Sequence, residues 1–481
     1  MVVGEIAEAV DLLVVGGGPA GYAAALRGAQ RGRDVLVVDR DGEEGVGGVC
    51  LRAGCIPSKA LIEMAGVAER AAGYSSAGLS VGERSVDLGA FQAHKARIVG
   101  ELTGGVRSLL AGAGVRVLAG DLRFTRPDQA VVRTPAGRAA FVEFRDVVIA
   151  TGSRPAVLPH LVPDGVHVLD STGALDLAEL PATVAVVGAG YIGVELGTAL
   201  AKLGSSVTLV EMADRILPEI DVALTRPVAR RLDELGVTVL TAARAGEHRG
   251  TILHVRCGDR DVEVKADVVI VAVGRRPNTD ELGLDRLGVT PGDDGLLHVA
   301  PDRTLRPHVA AIGDVTPGPA LAHKGYAEAP VAVDALCGDR VAFQPAAIPA
   351  VVFADPEIAT VGLSAAAARA EGLDPVVTTV PMAGNGRALT LRAPRGTVQL
   401  VSETGTGLVL GLHVVGPHAS ELVAEGTVAI EMGATVEDLA DTVHVHPTVG
   451  EQVQEAARAA AGRGLHSASP ARRPHHHLNK E

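Results

Sequence analysis

The chain has 481 residues, of which 47% are hydrophobic and 2% aromatic, and its formal net charge at pH 7 is −13. This acidic balance argues against non-specific binding to nucleic acid or to an anionic membrane surface. The length predicts roughly two to four domains, with cores built from aliphatic side chains because the chain contains no Trp.

The sequence shows no targeting or membrane segment. The start, MVVGEIAEAV, has no basic region and carries two acids, unlike a signal peptide. The long apolar runs are interrupted by charges or glycine motifs, so no membrane span is predicted. We therefore expect a soluble, cytoplasmic protein.

An internal repeat dominates the sequence. Residues 11–21 read DLLVVGGGPAG and residues 183–193 read TVAVVGAGYIG. Each copy predicts a buried strand, a G-x-G-x-x-G turn and an alanine-rich helix, and each is followed by a second strand that ends in an acid, Asp39 or Glu211. In this context the pattern is typical of a dinucleotide-binding fold.

The glycine positions explain how such a turn binds a nucleotide. They permit the tight turn, the close approach of a pyrophosphate to the helix N-terminus, and the packing of helix on strand. The predicted glycines are Gly16, Gly18 and Gly21 in the first copy and Gly188, Gly190 and Gly193 in the second. The two copies therefore predict two nucleotide cofactors. The alternative is one functional nucleotide site and one copy that is a relic. Since Glu211 would bind a free ribose 2′-hydroxyl and repel a 2′-phosphate, the second site is predicted to take NAD rather than NADP.

A pair of cysteines lies between the two motifs, in the segment GGVCLRAGCIPSK at 47–59. In a regular helix, the Cα atoms of Cys50 and Cys55 would be roughly 8–9 Å apart, beyond the limit of about 7 Å for a disulfide. If the two pair, the backbone must leave the helix, which Gly54 allows. The helix predicted to follow, together with Lys59, would stabilise a thiolate.

These features favour a reversible redox disulfide. Two unpaired structural cysteines are the alternative. No metal site is predicted, because zinc would need further ligands nearby. The isolated Cys257 and Cys337 are interpreted as small buried residues.

Two later segments extend the repeat, VVIATGSRP at 147–155 and VVIVAVGRRP at 268–277, and VAAIGD at 309–314 predicts a strand that returns to the first fold. We predict an α/β protein with two Rossmann-like dinucleotide-binding domains, one inserted in the other, and a C-terminal α+β domain. The predicted boundaries are 1–155 with 275–346 for the first dinucleotide-binding domain, 156–274 for the second, 347–462 for the C-terminal domain and 463–481 for a disordered tail.

The motifs, in this order, resemble those of the flavoprotein disulfide reductases, a pyridine nucleotide-disulfide oxidoreductase family, and most of all its dihydrolipoamide dehydrogenase group. The resemblance covers about residues 10–462. It rests on GGGPAG, GGVCLRAGCIPSKAL, ATGSRP, GAGYIGVE, GRRPNT, AIGDVTPGPALAHKGYAE, VVFADPEIATVGL and HVHPTVGE.

The resemblance implies FAD in the first fold and NAD in the second. Asp314 would bind the flavin ribitol, and the stretch from Ala320 to His323 would lie along the isoalloxazine. The residues implied to bind FAD are Gly16, Gly18, Gly21, Asp39, Lys59, Gly120, Ala150, Thr151, Gly152, Asp314, Ala320, Leu321, Ala322 and His323. Those implied to bind NAD are Gly188, Gly190, Tyr191, Gly193, Glu195, Glu211 and Gly274.

The same resemblance assigns catalytic roles. Cys50 would exchange with the substrate disulfide, and Cys55 would form the charge-transfer thiolate over the flavin. Lys59 and Glu195 match an ion pair beside the flavin. His446 and Glu451 match an acid/base pair that acts on the cysteines of the partner subunit, and Pro447 would follow a cis bond. A homodimer is therefore expected.

The implied activity is dihydrolipoamide oxidation with NAD. The expected partners are lipoyl domains, with either the acyltransferase core of a 2-oxoacid dehydrogenase complex or the lipoyl protein of glycine cleavage. Val49 and Arg52 depart from the usual Thr and Asn. Arg52 is either a solvated surface residue or a cation that tunes the pKa of the thiols or favours an acidic substrate.

Four other functions fit the sequence less well. An NADPH-linked reductase of glutathione, mycothiol or another small disulfide is disfavoured by Glu211. A mercuric reductase would carry a cysteine pair near its C-terminus, and no Cys follows Cys337. A mainly structural component of a large complex would not need the complete set of cysteine, histidine and glutamate residues. An NADH oxidase or transhydrogenase would not need the cysteine pair.

Overall fold

The computed structural model describes residues 8–79, 81–82 and 85–466. The described residues fall into two compact units, which lie within Met1–Met212 plus Ala242–Gln344 and within Ala213–Thr241 plus Pro345–Glu481. No helix within the described ranges is long and apolar enough to span a membrane.

The helices, in chain order, are α1 (Pro19–Gln30), α2 (Gly48–Ala53), α3 (Cys55–Gly73), α4 (Leu88–Gly112), α5 (Ser171–Leu175), α6 (Tyr191–Leu203), α7 (Val222–Glu234), α8 (Ala322–Leu336), α9 (Ala365–Ala370), α10 (Gly386–Thr390), α11 (Ala419–Glu431), α12 (Val436–Asp441) and α13 (Glu451–Ala460).

The first strands, in chain order, are β1 (Glu8–Val15), β2 (Val35–Asp39), β3 (Arg116–Ala119), β4 (Asp121–Arg126), β5 (Gln129–Arg133), β6 (Ala139–Ile149), β7 (Ser153–Pro155), β8 (Val168–Leu169), β9 (Thr183–Val187), β10 (Ser206–Val210), β11 (Thr238–Leu240) and β12 (Ala243–Arg249). The remaining strands are β13 (Ile252–Cys257), β14 (Arg260–Lys265), β15 (Val268–Val271), β16 (Arg275–Pro277), β17 (Thr304–Arg306), β18 (Val309–Ala311), β19 (Ala350–Val352), β20 (Glu357–Gly362), β21 (Pro375–Pro381), β22 (Thr397–Glu403) and β23 (Val409–Gly416).

The first unit contains two parallel sheets built on one plan. The first sheet has the order β17-β18-β6-β1-β2-β3, with β4 and β5 as an antiparallel addition beside β6. Strand β18 pairs in parallel with β6, so the segment 309–311 returns to the first sheet as predicted. In the second sheet, β10, β9, β15 and β8 are adjacent in that order and parallel. This confirms the predicted α/β class.

Aliphatic residues form these sheets. In β1 the last four residues, LLVV, are all buried, as expected for a parallel strand covered on both faces. The cores on the two faces of the first sheet are mostly Val, Leu and Ala, with Phe124 and Phe144 in edge contact at 5.8 Å between ring centroids. Two further antiparallel sheets in this unit are β12-β13-β14 and the ribbon β7-β16.

The second unit has an antiparallel sheet in the order β19-β20-β23-β22-β21. Its buried face packs against helices, and Leu400, Leu412 and Val414 on the strands share a core with Val423 on α11 and Val453 on α13. This is the α+β architecture predicted for the C-terminal part.

Candidate active site

Cys50 and Cys55 lie on two separate helices. Cys50 is in α2, and Cys55 is the first residue of α3. Between them Gly54 adopts φ −139° and ψ −103°, which is not helical. The backbone therefore leaves the helix at Gly54, the residue that the sequence analysis singled out as allowing such a break. As a result the two side chains are neighbours, with Cys50 placed to donate a hydrogen bond to Cys55.

The surroundings distinguish the two thiols. The hydrogen bond from Cys50 lowers the pKa of Cys55 to about 7, and Lys59 and the backbone N–H of Cys55 also act in this direction. The same hydrogen bond raises the pKa of Cys50, and partial burial raises it further. Near neutral pH the arrangement thus favours a thiolate at Cys55 that accepts a hydrogen bond from a protonated Cys50.

Lys59 and Glu195 form an ion pair beside the cysteines. Lys59 lies one turn after Cys55 on α3, and its Nζ donates to Glu195 Oε2 on α6 at 2.9 Å. The carboxylate is buried, with 4% of the residue exposed. The pair therefore joins the cysteine helix to the helix that follows the second glycine motif, and Lys59 places a positive charge near both thiols.

The first glycine motif forms a turn that only glycine fits. Gly16 has φ +102°, and a Cβ there would lie 2.4 Å from the carbonyl oxygen of Ala150. A Cβ on Gly21 would lie 1.8 Å from the carbonyl oxygen of Gly16. The carboxylate of Asp39 accepts the N–H of Gly17 at 2.7 Å. The acid at the end of β2 is therefore held at the turn that precedes α1.

The second motif repeats this geometry. Gly188 has φ +100° and a Cβ there would lie 2.4 Å from the carbonyl oxygen of Ala272, while a Cβ on Gly193 would lie 1.9 Å from that of Gly188. Glu211 accepts the N–H of Ala189 at 2.6 Å, as Asp39 does in the first copy. Gly274, with φ +123°, follows β15. Both copies therefore form the same turn.

Neither turn is blocked by a side chain. Gly18 and Gly190 occupy the N-cap positions of α1 and α6, and no side chain caps either helix or the N-terminus of α8. In contrast, Asp87 and Asp170 cap α4 and α5 through side-chain hydrogen bonds. Because free N–H groups at a helix N-terminus bind anions, the geometry of α1 and α6 suits two phosphate-containing ligands.

The other residues predicted to bind the first nucleotide lie mostly at one edge of the first sheet. Gly120 follows β3, the stretch from Ala150 to Gly152 follows β6, and Asp314 follows β18 by three residues. Leu321 is the N-cap of α8, with Ala320 before it and Ala322 and His323 in its first turn. The carboxyl ends of parallel strands are where open α/β sheets bind ligands.

Tyr191 opens α6 and lies near the thiols. It is 44% exposed. Partial burial raises the pKa of its hydroxyl, and the negative charges of Asp314, Glu195 and Cys55 raise it further. Tyr191 is thus placed close to residues of both glycine-motif folds.

In the second unit, His446 and Glu451 are hydrogen-bonded. The His446 Nδ1 to Glu451 Oε1 distance is 2.8 Å, and Glu451 Oε2 accepts the N–H of Thr448 at 2.9 Å. Although burial acts to raise it, these hydrogen bonds lower the pKa of Glu451. The His446–Pro447 bond is cis, as predicted, and the imidazole is 80% exposed. The carboxylate therefore orients an accessible imidazole.

Residues 10–329 match the family model described as pyridine nucleotide-disulphide oxidoreductase, and residues 348–457 match the dimerisation domain of the same family. The chain belongs to the pyridine nucleotide-disulphide oxidoreductase family. The resemblance inferred from the sequence motifs is thereby confirmed.

Relatives in this family match over nearly their whole length. Dihydrolipoyl dehydrogenase of Halobacterium salinarum is 45% identical over 475 residues, covering 97% of this chain and 99% of the relative. Those of Geobacillus stearothermophilus and Bacillus subtilis are 44% and 42% identical over 472 residues, each covering 97% of this chain and 99% of the relative.

Solved structures agree. LpdA from Mycobacterium tuberculosis superposes with a TM-score of 0.86 at 31% identity and covers 94% of this chain and 100% of its own. The HOCl-induced flavoprotein disulfide reductase RclA from Escherichia coli gives a TM-score of 0.81 at 26% identity, covering 92% of this chain and 98% of its own.

Several side chains that contact the site residues of this oxidoreductase were not predicted from the sequence motifs. Ser153 Oγ donates to Asp314 Oδ2 at 2.6 Å, and Arg275 Nε donates to Ser153 Oγ at 2.7 Å. Ser153 and Arg275 lie on the ribbon β7-β16, within the repeated segments GSRP and GRRP. His444 Nε2 contacts Glu425 Oε1 at 2.8 Å in the second unit. Only the repeat of arginine-proline segments could have pointed to the first two.

Three further predictions concern residues that the structure describes. Arg52 is half-exposed at the surface, and its Nη1 donates to Asp41 Oδ2 at 2.8 Å. Cys257 and Cys337 are half-buried rather than buried, and Cys337 Sγ accepts from Arg33 at 3.6 Å. Leu465 and His466 of the predicted tail have partners, since their backbone N–H groups donate to Glu455. The rest of that tail lies outside the described residues.

Proposed function

We propose that the protein is a dihydrolipoyl dehydrogenase, which oxidises dihydrolipoamide to lipoamide and reduces NAD. The observation that carries this proposal is the pair of adjoining thiols, Cys50 and Cys55, in a chain 42–45% identical to dihydrolipoyl dehydrogenases over 97% of its length. The similarity supports the substrate, and the thiol geometry supports the chemistry.

The residues present fit FAD at the first fold and NAD at the second. The turn at Gly16–Gly21 leaves space for a pyrophosphate above α1, and Asp39 is placed for ribose hydroxyls. The turn at Gly188–Gly193 and Glu211 repeat this arrangement. When bound, FAD supplies two-electron transfer between a dithiol and a nicotinamide.

The cysteines exchange electrons with the substrate as follows. In the oxidised enzyme, a thiolate of dihydrolipoamide attacks the sulfur of Cys50 in the Cys50–Cys55 disulfide, and Cys55 leaves as a thiolate. The second substrate thiol then attacks the substrate sulfur of this mixed disulfide. Lipoamide is released, and Cys50 leaves with the electron pair and takes a proton. The lowered pKa of Cys55 suits a leaving group.

His446 is the proposed base for the substrate thiols. An imidazole oriented by a carboxylate accepts a proton near neutral pH, and Glu451 stabilises the resulting cation. The dimerisation-domain match supports a homodimer. In it, His446 of one subunit would serve the cysteines of its partner.

The partners and location follow from the activity. A lipoyl domain would present the dithiol, within a 2-oxoacid dehydrogenase complex or the glycine cleavage system. We also propose the domain boundaries and the residue roles that the sequence predicts, and a cytoplasmic location. A reductase of another small disulfide is the second candidate, favoured only by the unusual Arg52.

Steady-state assays test the substrate and the coenzyme together. The purified protein is given lipoamide with NADH or with NADPH, and then glutathione disulfide and an acidic disulfide with NADH. We expect fast turnover with lipoamide and NADH alone. Turnover with another disulfide but not with lipoamide would keep the family and reject the proposed substrate.

A further inference from the structure

Helix α8 carries a buried ion pair that the proposed reaction does not use. Lys324 and Glu328 are one helical turn apart, their side chains are 2% and 0% exposed, and Lys324 Nζ lies 3.1 Å from Glu328 Oε1. Burial lowers the pKa of Lys324 despite the opposing effect of Glu328. Because buried ions lose their hydration, such a pair is a poor source of stability. A role in positioning would explain it better.

The pair holds the turn immediately before Asp314. Glu328 Oε2 accepts the N–H of Gly313 at 2.7 Å, and Lys324 Nζ donates to the carbonyl oxygen of Gly313 at 3.0 Å. Thr316 Oγ1 donates to the same carbonyl at 2.8 Å and accepts from Lys324 at 2.8 Å. Both polar groups of the Gly313 backbone are therefore bound to α8 or to Thr316.

A third charged residue completes the network. Arg303 Nη1 donates to Glu328 Oε1 at 3.0 Å, and its guanidinium lies 5.0 Å from the centre of the Phe343 ring. Glu328 thus has two cationic partners, Lys324 and Arg303. Removing one cation leaves the carboxylate paired with the other.

The same turn touches the first glycine motif. A Cβ on Gly313 would lie 3.1 Å from the Cβ of Ala20, and one on Gly325 would lie 2.8 Å from it. Ala20 is within the Gly16–Gly21 motif. The glycine motif, the Asp314 turn and the start of α8 are thus packed together, and each was predicted to contact a different part of FAD.

We propose that Lys324 and Glu328 are positioning residues for FAD. They fix Asp314 and the N-terminus of α8 relative to the pyrophosphate turn, and their charges set the electrostatic potential at the isoalloxazine end. The inference rests on the proposed FAD site at this fold. It implies that the two charges act on the flavin potential in opposite directions, because reduction adds negative charge.

Two isosteric variants test this, Lys324→Met and Glu328→Gln. FAD binding is measured by titrating apoprotein with FAD, and the midpoint potential of bound flavin by dye equilibration. Each variant should bind FAD about tenfold or more weakly, the loss expected for a charged hydrogen bond. Lys324→Met should shift the potential to a more negative value, and Glu328→Gln to a more positive one.

Asp146→Asn is the matched control. Asp146 is also buried, with a side chain 1% exposed, and it pairs with Arg33 and His308 in the same unit without contacting the Asp314 turn. This variant should lower the melting temperature but keep both FAD affinity and potential. A merely structural Lys324–Glu328 pair would behave in the same way, and that result would overturn the inference.

Two further results are informative. If either charge variant fails to fold, Thr316→Val removes the shared hydroxyl without changing charge, and it should weaken FAD binding while the potential stays nearly constant. Unchanged binding in Thr316→Val would then count against the proposal. A wild-type protein that binds no FAD would instead reject the proposed function itself.

Discussion

The acidity of Cys55 should depend on a hydrogen bond from position 50. The structure lowers the pKa of Cys55 from an ordinary 9.0 to about 7, and the first cause is the Cys50 thiol. At pH 7 this means roughly half of Cys55 is ionised, compared with about 1% of an ordinary thiol. Cys50→Ala removes the donor, whereas Cys50→Ser replaces the thiol with a hydroxyl that still donates.

The sign of the pH dependence follows from the lowered pKa. The thiolate is present above about pH 7 and is lost as the pH falls through that value. In Cys50→Ala the pKa of Cys55 should rise by about one unit or more, because the hydrogen bond that lowers it most is lost. Lys59 and the backbone N–H continue to lower it and so limit the rise. At pH 7 the ionised fraction should therefore fall several-fold.

The rate of alkylation of Cys55 as a function of pH measures this pKa. Cys257 and Cys337 are replaced by Ser in every protein, so that Cys55 is the single thiol in the described part of both position-50 variants. We expect the midpoint to stay near pH 7 in Cys50→Ser and to rise clearly in Cys50→Ala. Equal midpoints in the two variants would refute the assignment of the hydrogen bond.

Three further predictions concern the other parts of the site. His446→Gln should lower dihydrolipoamide turnover by about 10²–10⁴-fold, the range for general acid–base catalysis, and near-normal turnover would remove His446 from the mechanism. Glu211→Ala should reduce the preference for NADH over NADPH, measured as a ratio of kcat/KM, and an unchanged ratio would contradict its contact with the ribose. Lys59→Met should raise the alkylation midpoint of Cys55 in the Cys50→Ser protein, because it removes a nearby positive charge, and no shift would show that this charge is screened.

Local signals in the sequence were sufficient for the fold and the cysteine pair. The glycines at 16 and 21 are required by close backbone contacts that any copy of this turn must make, and the acid at 39 lies at the end of the next strand. Cys50 and Cys55 are close in sequence, and Gly54 between them marks the break in the helix. Such features depend on residues that are close together in the sequence, and a sequence motif includes all of these residues.

The contacts that the sequence did not reveal join residues far apart in the chain. Ser153 contacts Asp314 across 161 positions, and Arg275 contacts Ser153 across 122. The pairing of Lys324 with Glu328 has helical spacing, but its burial against Gly313 depends on how α8 packs. Arg52 was open to two interpretations because its partner, Asp41, is set by the turn after β2. Tertiary packing decides each of these.

The central claim is that electrons from dihydrolipoamide enter through the Cys50–Cys55 disulfide. It is tested by treating the oxidised protein with one equivalent of dihydrolipoamide without oxygen or NAD, alkylating it and analysing the peptides by mass spectrometry. We predict that both cysteines resist alkylation before reduction, become labelled after it, and resist again once NAD is added and NADH has formed. Labelling of the two cysteines that does not change with dihydrolipoamide would contradict the account.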